Sequence, residues 1–179
     1  RDLAEMQTAS EDDSPDPGAG ERQRAQQTFW RAVFGTRGVL NLGISTVVRG
    51  SGTITNQGTL VLYYSTVNAA VANAGLLLSR YYSTVSGALT TVAGSTIRIE
   101  ADYNCCYSYL FVTNGFTNNG TIELTAINGT GNYAYLEVTN GTLVNAPGAT
   151  ILSSPGTGGQ RYLYANVDNQ GTLTVGQAL

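Results

Sequence analysis

The chain has 179 residues, 42% of them hydrophobic, and its 12 acids outweigh 9 basic residues, all arginine, for a net charge of −3. That length suits one domain, no apolar run approaches the ~20 residues of a membrane-spanning helix, and the sparse arginines exclude a basic nucleic-acid-binding face. Histidine is absent, which removes nucleophilic catalysis of the Ser/His or Cys/His kind.

Charge is concentrated at the start, where residues 1–37 carry seven acids and five arginines. Residues 1–20 join Glu11-Asp12-Asp13 to Ser14-Pro15-Asp16-Pro17-Gly18-Ala19-Gly20, too little apolar surface to offset the entropy of ordering, and read as a disordered acidic linker. Over residues 21–37, Ala25, Phe29, Ala32 and Val33 fall at helical spacing, Trp30 and Phe34 widen the apolar face, and Gly35 offers a stop. The spacing predicts a short amphipathic helix, placed to cap the open end of the repeats that follow. With neither an initiating methionine nor a signal peptide, the chain reads as a mature or excised piece of a longer protein.

From residue 38 to residue 179 one short phrase recurs. It appears as Asn56-Gln57-Gly58-Thr59-Leu60, Asn73-Ala74-Gly75-Leu76-Leu77, Gly94-Ser95-Thr96-Ile97, Asn118-Asn119-Gly120-Thr121-Ile122, Asn145-Ala146-Pro147-Gly148-Ala149-Thr150-Ile151 and Asn169-Gln170-Gly171-Thr172-Leu173. The glycines step by 17 to 28 residues, the period of a solenoid whose units bury their apolar side only against one another. Alternation after the glycine predicts half-buried strands with Leu60, Ile97, Ile122, Ile151 and Leu173 inward and the preceding threonines outward. The same parity turns Asn56, Asn73, Asn118, Asn145 and Asn169 inward at a corner, where stacked amides can hydrogen-bond along the axis. The glycine that follows is expected to supply a positive φ at that corner.

Between corners a second run returns: Tyr64-Ser65-Thr66-Val67, Tyr82-Ser83-Thr84-Val85, Tyr109-Leu110-Phe111-Val112 and Tyr135-Leu136-Glu137-Val138. With the valines inward, Tyr64, Tyr82, Tyr109 and Tyr135 face outward, and Tyr164 holds the same offset from Val167. Tyr107, Tyr133 and Tyr162 lie two positions before their partners in the later units. These outward tyrosines are the candidate binding residues, since aromatic planes stack on sugar rings; the alternative is that they stack on one another and shield the strands.

Because the residue types return in the same order, the reading favours an all-β, right-handed parallel β-helix of about six rungs, roughly 30 Å long at ~4.8 Å per rung, over a β-sandwich. Cys105 and Cys106 are adjacent and build no disulfide framework; they read as a strand pair, one in and one out, with a vicinal disulfide as the alternative.

The Asn-x-Gly-Thr-aliphatic repeat resembles the repeat regions of bacterial extracellular β-helix proteins, the filamentous-haemagglutinin-like adhesins and autotransporter passengers, over residues 38–179. That resemblance implies an extracellular or cell-surface structural or adhesive segment of a larger protein, and the sparse carboxylates with no histidine or lysine beside them read against catalytic activity. Its partners would be a glycan or a host or cell-surface protein, together with further repeats of the same chain, and no nucleic acid. The competing reading is a polysaccharide-acting lyase or glycosidase, for which Glu123 and Glu137 are the one carboxylate pair to consider. No metal-ligand spacing or phosphate loop is present, and no cofactor is expected. Asn-Gly-Thr triplets at 119–121, 128–130 and 140–142 match the N-glycosylation pattern, yet they also belong to the repeat.

Overall fold

A computed structural model of the chain describes residues 31–34, 38–102, 107–129 and 131–179. Every described element is a strand. In chain order they are β1 (Arg31–Phe34), β2 (Val39–Leu42), β3 (Val47–Val48), β4 (Thr53–Asn56), β5 (Thr59–Tyr63), β6 (Thr66–Val67), β7 (Ala70–Asn73), β8 (Leu76–Arg80) and β9 (Tyr82–Val85). The chain continues through β10 (Leu89–Thr91), β11 (Thr96–Asp102), β12 (Ser108–Asn118), β13 (Thr121–Ile127), β14 (Ala134–Asn145), β15 (Thr150–Ser153), β16 (Arg161–Asn169) and β17 (Thr172–Val175).

These strands build three sheets, ordered β1-β4-β7-β10, β2-β5-β8-β11-β13-β15-β17 and β3-β6-β9-β12-β14-β16. All pairings are parallel, for example β5 with β8, β12 with β14 and β4 with β7. The chain visits the sheets in rotation, so each strand pairs with its counterpart one pass later. This is the stacked parallel arrangement of a β-helix or solenoid. Strands β12, β14 and β16 are long because each runs through the third sheet's position and on into the position held by the first sheet in earlier coils, past a register irregularity.

The core is a set of in-register columns. Leu40, Leu60, Leu77, Ile97, Ile122, Ile151 and Leu173 align through the seven-stranded sheet, and Leu60, Leu77, Ile97, Ile122 and Ile151 are fully buried. Val67, Val85, Val112 and Val138 form a second buried column. In-register parallel stacking places like residues over like, so one inward aliphatic position repeated in sequence becomes a continuous apolar rod, each full burial worth roughly 1.5–3 kcal/mol.

Two expectations change here. Arg31–Phe34, the last part of the expected capping helix, is a strand: Arg31 pairs with Thr53 and Phe34 with Asn56 along β4. The edge of β4 needs hydrogen-bond partners, and an apolar run as short as Ala32-Val33-Phe34 does not by itself tell a strand from a helix. Residues 21–30 and 35–37, the 1–20 linker and Cys105 and Cys106 lie outside the described residues. The repeat glycines also act differently from the expectation. Gly94 and Gly148 have φ of 83° and 82°, but Gly75, Gly120 and Gly171 are not in the left-handed region. A methyl group on these three would overlap the carbonyl oxygens of Gly58, Ser95 and Ala149 on the previous coil. Glycine is there because two backbones approach closely at the corner.

Candidate functional site

The corner asparagines are built into the interior. Asn56, Asn73, Asn118 and Asn145 are at most 1% exposed, which obliges each amide to find partners. Asn56 Nδ2 donates to Asn73 Oδ1 at 2.7 Å, Asn118 Nδ2 to Asn145 Oδ1 at 2.9 Å, and Asn145 Nδ2 to Asn169 Oδ1 at 2.7 Å. The second amide proton goes to the backbone of the next coil, as with Asn56 to Leu76 O at 2.9 Å and Asn73 to Thr96 O at 3.0 Å. Asn56 and Asn118 also accept from the N–H of Gly58 and Gly120. Asn169, in the last coil, is exposed.

The column is interrupted where Thr91 pairs with Asn73. Thr91 Oγ1 donates to Thr117 O at 3.1 Å and accepts from Asn119 N at 2.8 Å, so a hydroxyl ties this corner to the backbone of the next coil. Sequence reading missed Thr91 because that unit has no corner asparagine; the signal was Thr91 lying two residues after the inward Leu89, the offset that separates Ile54 from Asn56.

On the outer face of the six-stranded sheet, register aligns Tyr82, Tyr109, Tyr135 and Tyr162. Parallel strands about 4.8 Å apart bring equivalent rings to stacking distance. Tyr82 and Tyr109 stack at 4.3 Å between centroids and 9° between planes, Tyr109 and Tyr135 lie at 5.3 Å and 41°, and Tyr135 and Tyr162 at 5.8 Å and 47°. Tyr107 and Tyr133 make a parallel second row at 4.9 Å and 22°. Tyr64 stands beside the column, with a φ of 51° and its ring 5.2 Å from Tyr81, which in turn meets Tyr82 edge-on at 5.0 Å.

Tyr164 does not belong to the column. It pairs with Glu137 and is 68% exposed, and Tyr162 takes the place assigned to it. The last coil is shorter between Tyr164 and Asn166, so counting back from Val167 shifts the register. Counting forward from the Tyr-Leu step shared by Tyr109-Leu110, Tyr135-Leu136 and Tyr162-Leu163 finds the right residue.

Packing changes the phenols' acidity. Burial, a hydrogen bond to Tyr82 and the neighbouring phenols push Tyr109 up to about 12. Burial and Glu137 raise Tyr135, whose hydroxyl donates to Glu137 Oε2 at 3.2 Å.

The two carboxylates considered for catalysis sit on different sheets, Glu123 in β13 and Glu137 in β14. Glu123 Oε2 accepts from Arg98 Nε at 2.7 Å, and Arg80 pairs with Glu100 beside it. Each carboxylate is thus held by a neighbour on its own face. The asparagines of all three Asn-Gly-Thr triplets are exposed, and Asn119 Nδ2 donates to Thr91 O, Asn140 Nδ2 to Thr113 O and Asn128 Nδ2 to Asp102 Oδ1, Asn128 having a φ of 56°.

One buried cation had no signal in the repeat. Arg161 is fully buried in the column of Ser108 and Ala134. Its guanidinium donates to the carbonyls of Ser154, Pro155, Gly158 and Gln160 at 2.8–3.2 Å, and burial lowers its pKa. It pins the loop between β15 and β16.

What fold and site define together is a parallel β-stacked repeat protein with an internal amide ladder and an external tyrosine ladder. No protein-family model matches the chain, and no characterised protein or solved structure matches it significantly.

Proposed function

We propose that the chain is a structural and adhesive segment of an extracellular or cell-surface protein, a closed right-handed parallel β-helix whose tyrosine face meets a glycan or protein partner. The hand follows from the general rule that crossovers between parallel strands are right-handed in about 98% of cases. The observation that carries the functional reading is the outward column of Tyr82, Tyr109, Tyr135 and Tyr162. Repetition of an aromatic on one solvent face in four successive coils is more than the aliphatic interior needs.

The ring geometry defines what such a face offers. Tyr82 and Tyr109 turn their planes toward each other, so a ligand meets ring edges and hydroxyls along the strip, and open ring surface at the well-exposed Tyr64 and Tyr164. A strip of this kind suits an extended polar ligand held by hydrogen bonds and shallow apolar contact. In this reading the protein is not an enzyme, and Glu123 and Glu137 are surface groups.

A glycan array and a pull-down from cell-surface extracts, run with the wild type and the Tyr82→Ala/Tyr109→Ala/Tyr135→Ala variant, test it. Binding by the wild type that disappears in a variant still showing the wild-type circular dichroism spectrum is the expected result. Absence of binding by the wild type, with marked destabilisation of the variant, overturns the adhesive part and leaves a purely structural ladder.

A further inference from the structure

We propose that Tyr82 and Tyr109 form a site of oxidative cross-linking, where a one-electron oxidant joins their rings at carbons ortho to the hydroxyls and staples two neighbouring coils covalently. The argument rests on ring geometry and is independent of any ligand.

Among the aromatic contacts this pair is the closest and most nearly parallel of the tyrosine pairs, at 4.3 Å and 9°. Tyr107 and Tyr133 stand at 4.9 Å and 22°, Tyr109 and Tyr135 at 5.3 Å and 41°, and Tyr133 and Tyr162 are edge-on at 87°. Register alignment of Tyr82 with Tyr109 launches both side chains from equivalent backbone positions. Equivalent launch points and nearly parallel planes set the two rings face to face at 4.3 Å. Tyr82 is 40% exposed, which gives an oxidant access and gives the ring room to swing as the new bond opens the stack. The backbone beneath is fixed by parallel pairing, so the radicals are held together and cannot diffuse apart.

The chemistry balances with an external oxidant of the class of a peroxide-driven haem peroxidase or a photoexcited metal complex. Two one-electron oxidations remove one electron from each phenol, and each phenolic proton passes to water on the exposed Tyr82 side. The two phenoxyl radicals pair their electrons in one carbon–carbon bond between ortho positions. The hydrogens on those carbons then shift to the oxygens as the rings regain aromaticity. The product has lost two hydrogens overall, and the oxidant has gained two electrons.

Such a bond closes the chain between coils and restricts the unfolded state, as a disulfide does. It would toughen a segment that carries no disulfide framework.

The test uses the full chain at low concentration with tris(bipyridyl)ruthenium(II), persulfate and a light flash, a small outer-sphere oxidant that needs no docking. The expected product is a monomer with dityrosine fluorescence, an intact mass lower by two hydrogens, fragments joining Tyr82 to Tyr109, and a raised melting temperature. Tyr82→Phe and Tyr109→Phe each keep a stacked ring but cannot couple, and each should lose that linkage, while Tyr107→Phe should retain it. The proposal is overturned if the wild type couples only between molecules or at other tyrosines, or yields no dityrosine under a flash that couples free tyrosine.

Discussion

Asn118 and Gly120 show how one corner is held by two unlike requirements. Asn118 is buried, donates to Asn145 Oδ1 and accepts from Gly120 N, so its removal strands several polar groups away from water. Asn118→Ala should therefore destabilise the protein by roughly 1–3 kcal/mol, while the outward Thr121→Ala should change it by well under that. Urea midpoints compare the two directly, and equal shifts would show that the amide column contributes little. Gly120 and Gly94 separate close approach from backbone conformation. Gly94→Ala meets only the left-handed φ of 83° in open space, a cost of about 1 kcal/mol. Gly120→Ala drives a methyl into the Ser95 carbonyl and should lower the midpoint further, because neither coil can move without breaking the β11–β13 pairing.

At the scale of the element, the six-stranded sheet is the one that titrates. Tyr109 is raised from 10 to about 12 and Tyr135 is raised as well. A phenol whose folded pKa exceeds its unfolded value stabilises the native state fully below pH ~10, and that contribution is lost as pH climbs through the folded value. Alkaline unfolding should accordingly set in between pH 10 and about 12, and Tyr109→Phe should move its onset upward. Absorbance of the phenolate against pH, followed with circular dichroism, gives the check. The seven-stranded sheet should respond weakly to its surface charges. Arg98 and Glu123 are 39% and 17% exposed, so Glu123→Gln should cost no more than ~1 kcal/mol in the melting curve.

For the whole molecule, stability should fall toward the coil of β16 and β17. Both are terminal strands of their sheets, β17 is exposed throughout, and Leu173 and Val175, which continue buried columns, are 42% and 55% exposed. Strands β8 and β11 are paired on both sides. Amides of β16 and β17 should thus exchange with deuterium orders of magnitude faster than those of β8 and β11. Uniform protection along the axis would contradict this gradient and indicate that the coils open as a single cooperative unit.

Much of this architecture was legible because parallel stacking in register turns sequence periodicity directly into spatial columns. Leu60, Leu77 and Ile122 each return two residues after a glycine, and they lie in one column of the core. The corner asparagines and the outward Tyr82, Tyr109 and Tyr135 were visible for the same reason. Tertiary structure decided what periodicity does not encode. The short apolar run Ala32-Val33-Phe34 does not distinguish a helix from a strand, and the edge of β4 selected the strand. The length of the last coil, not its residue types, put Tyr162 in the column and moved Tyr164 out. Thr91 replaced an asparagine because its hydroxyl could reach the next coil, and Arg161 entered the interior because four loop carbonyls converge there. Glycine at 75, 120 and 171 reads in sequence as a turn residue, yet the distance between two coils is what excludes a side chain. Composition and spacing determined which face each residue takes, and the separation between coils determined which atoms meet there.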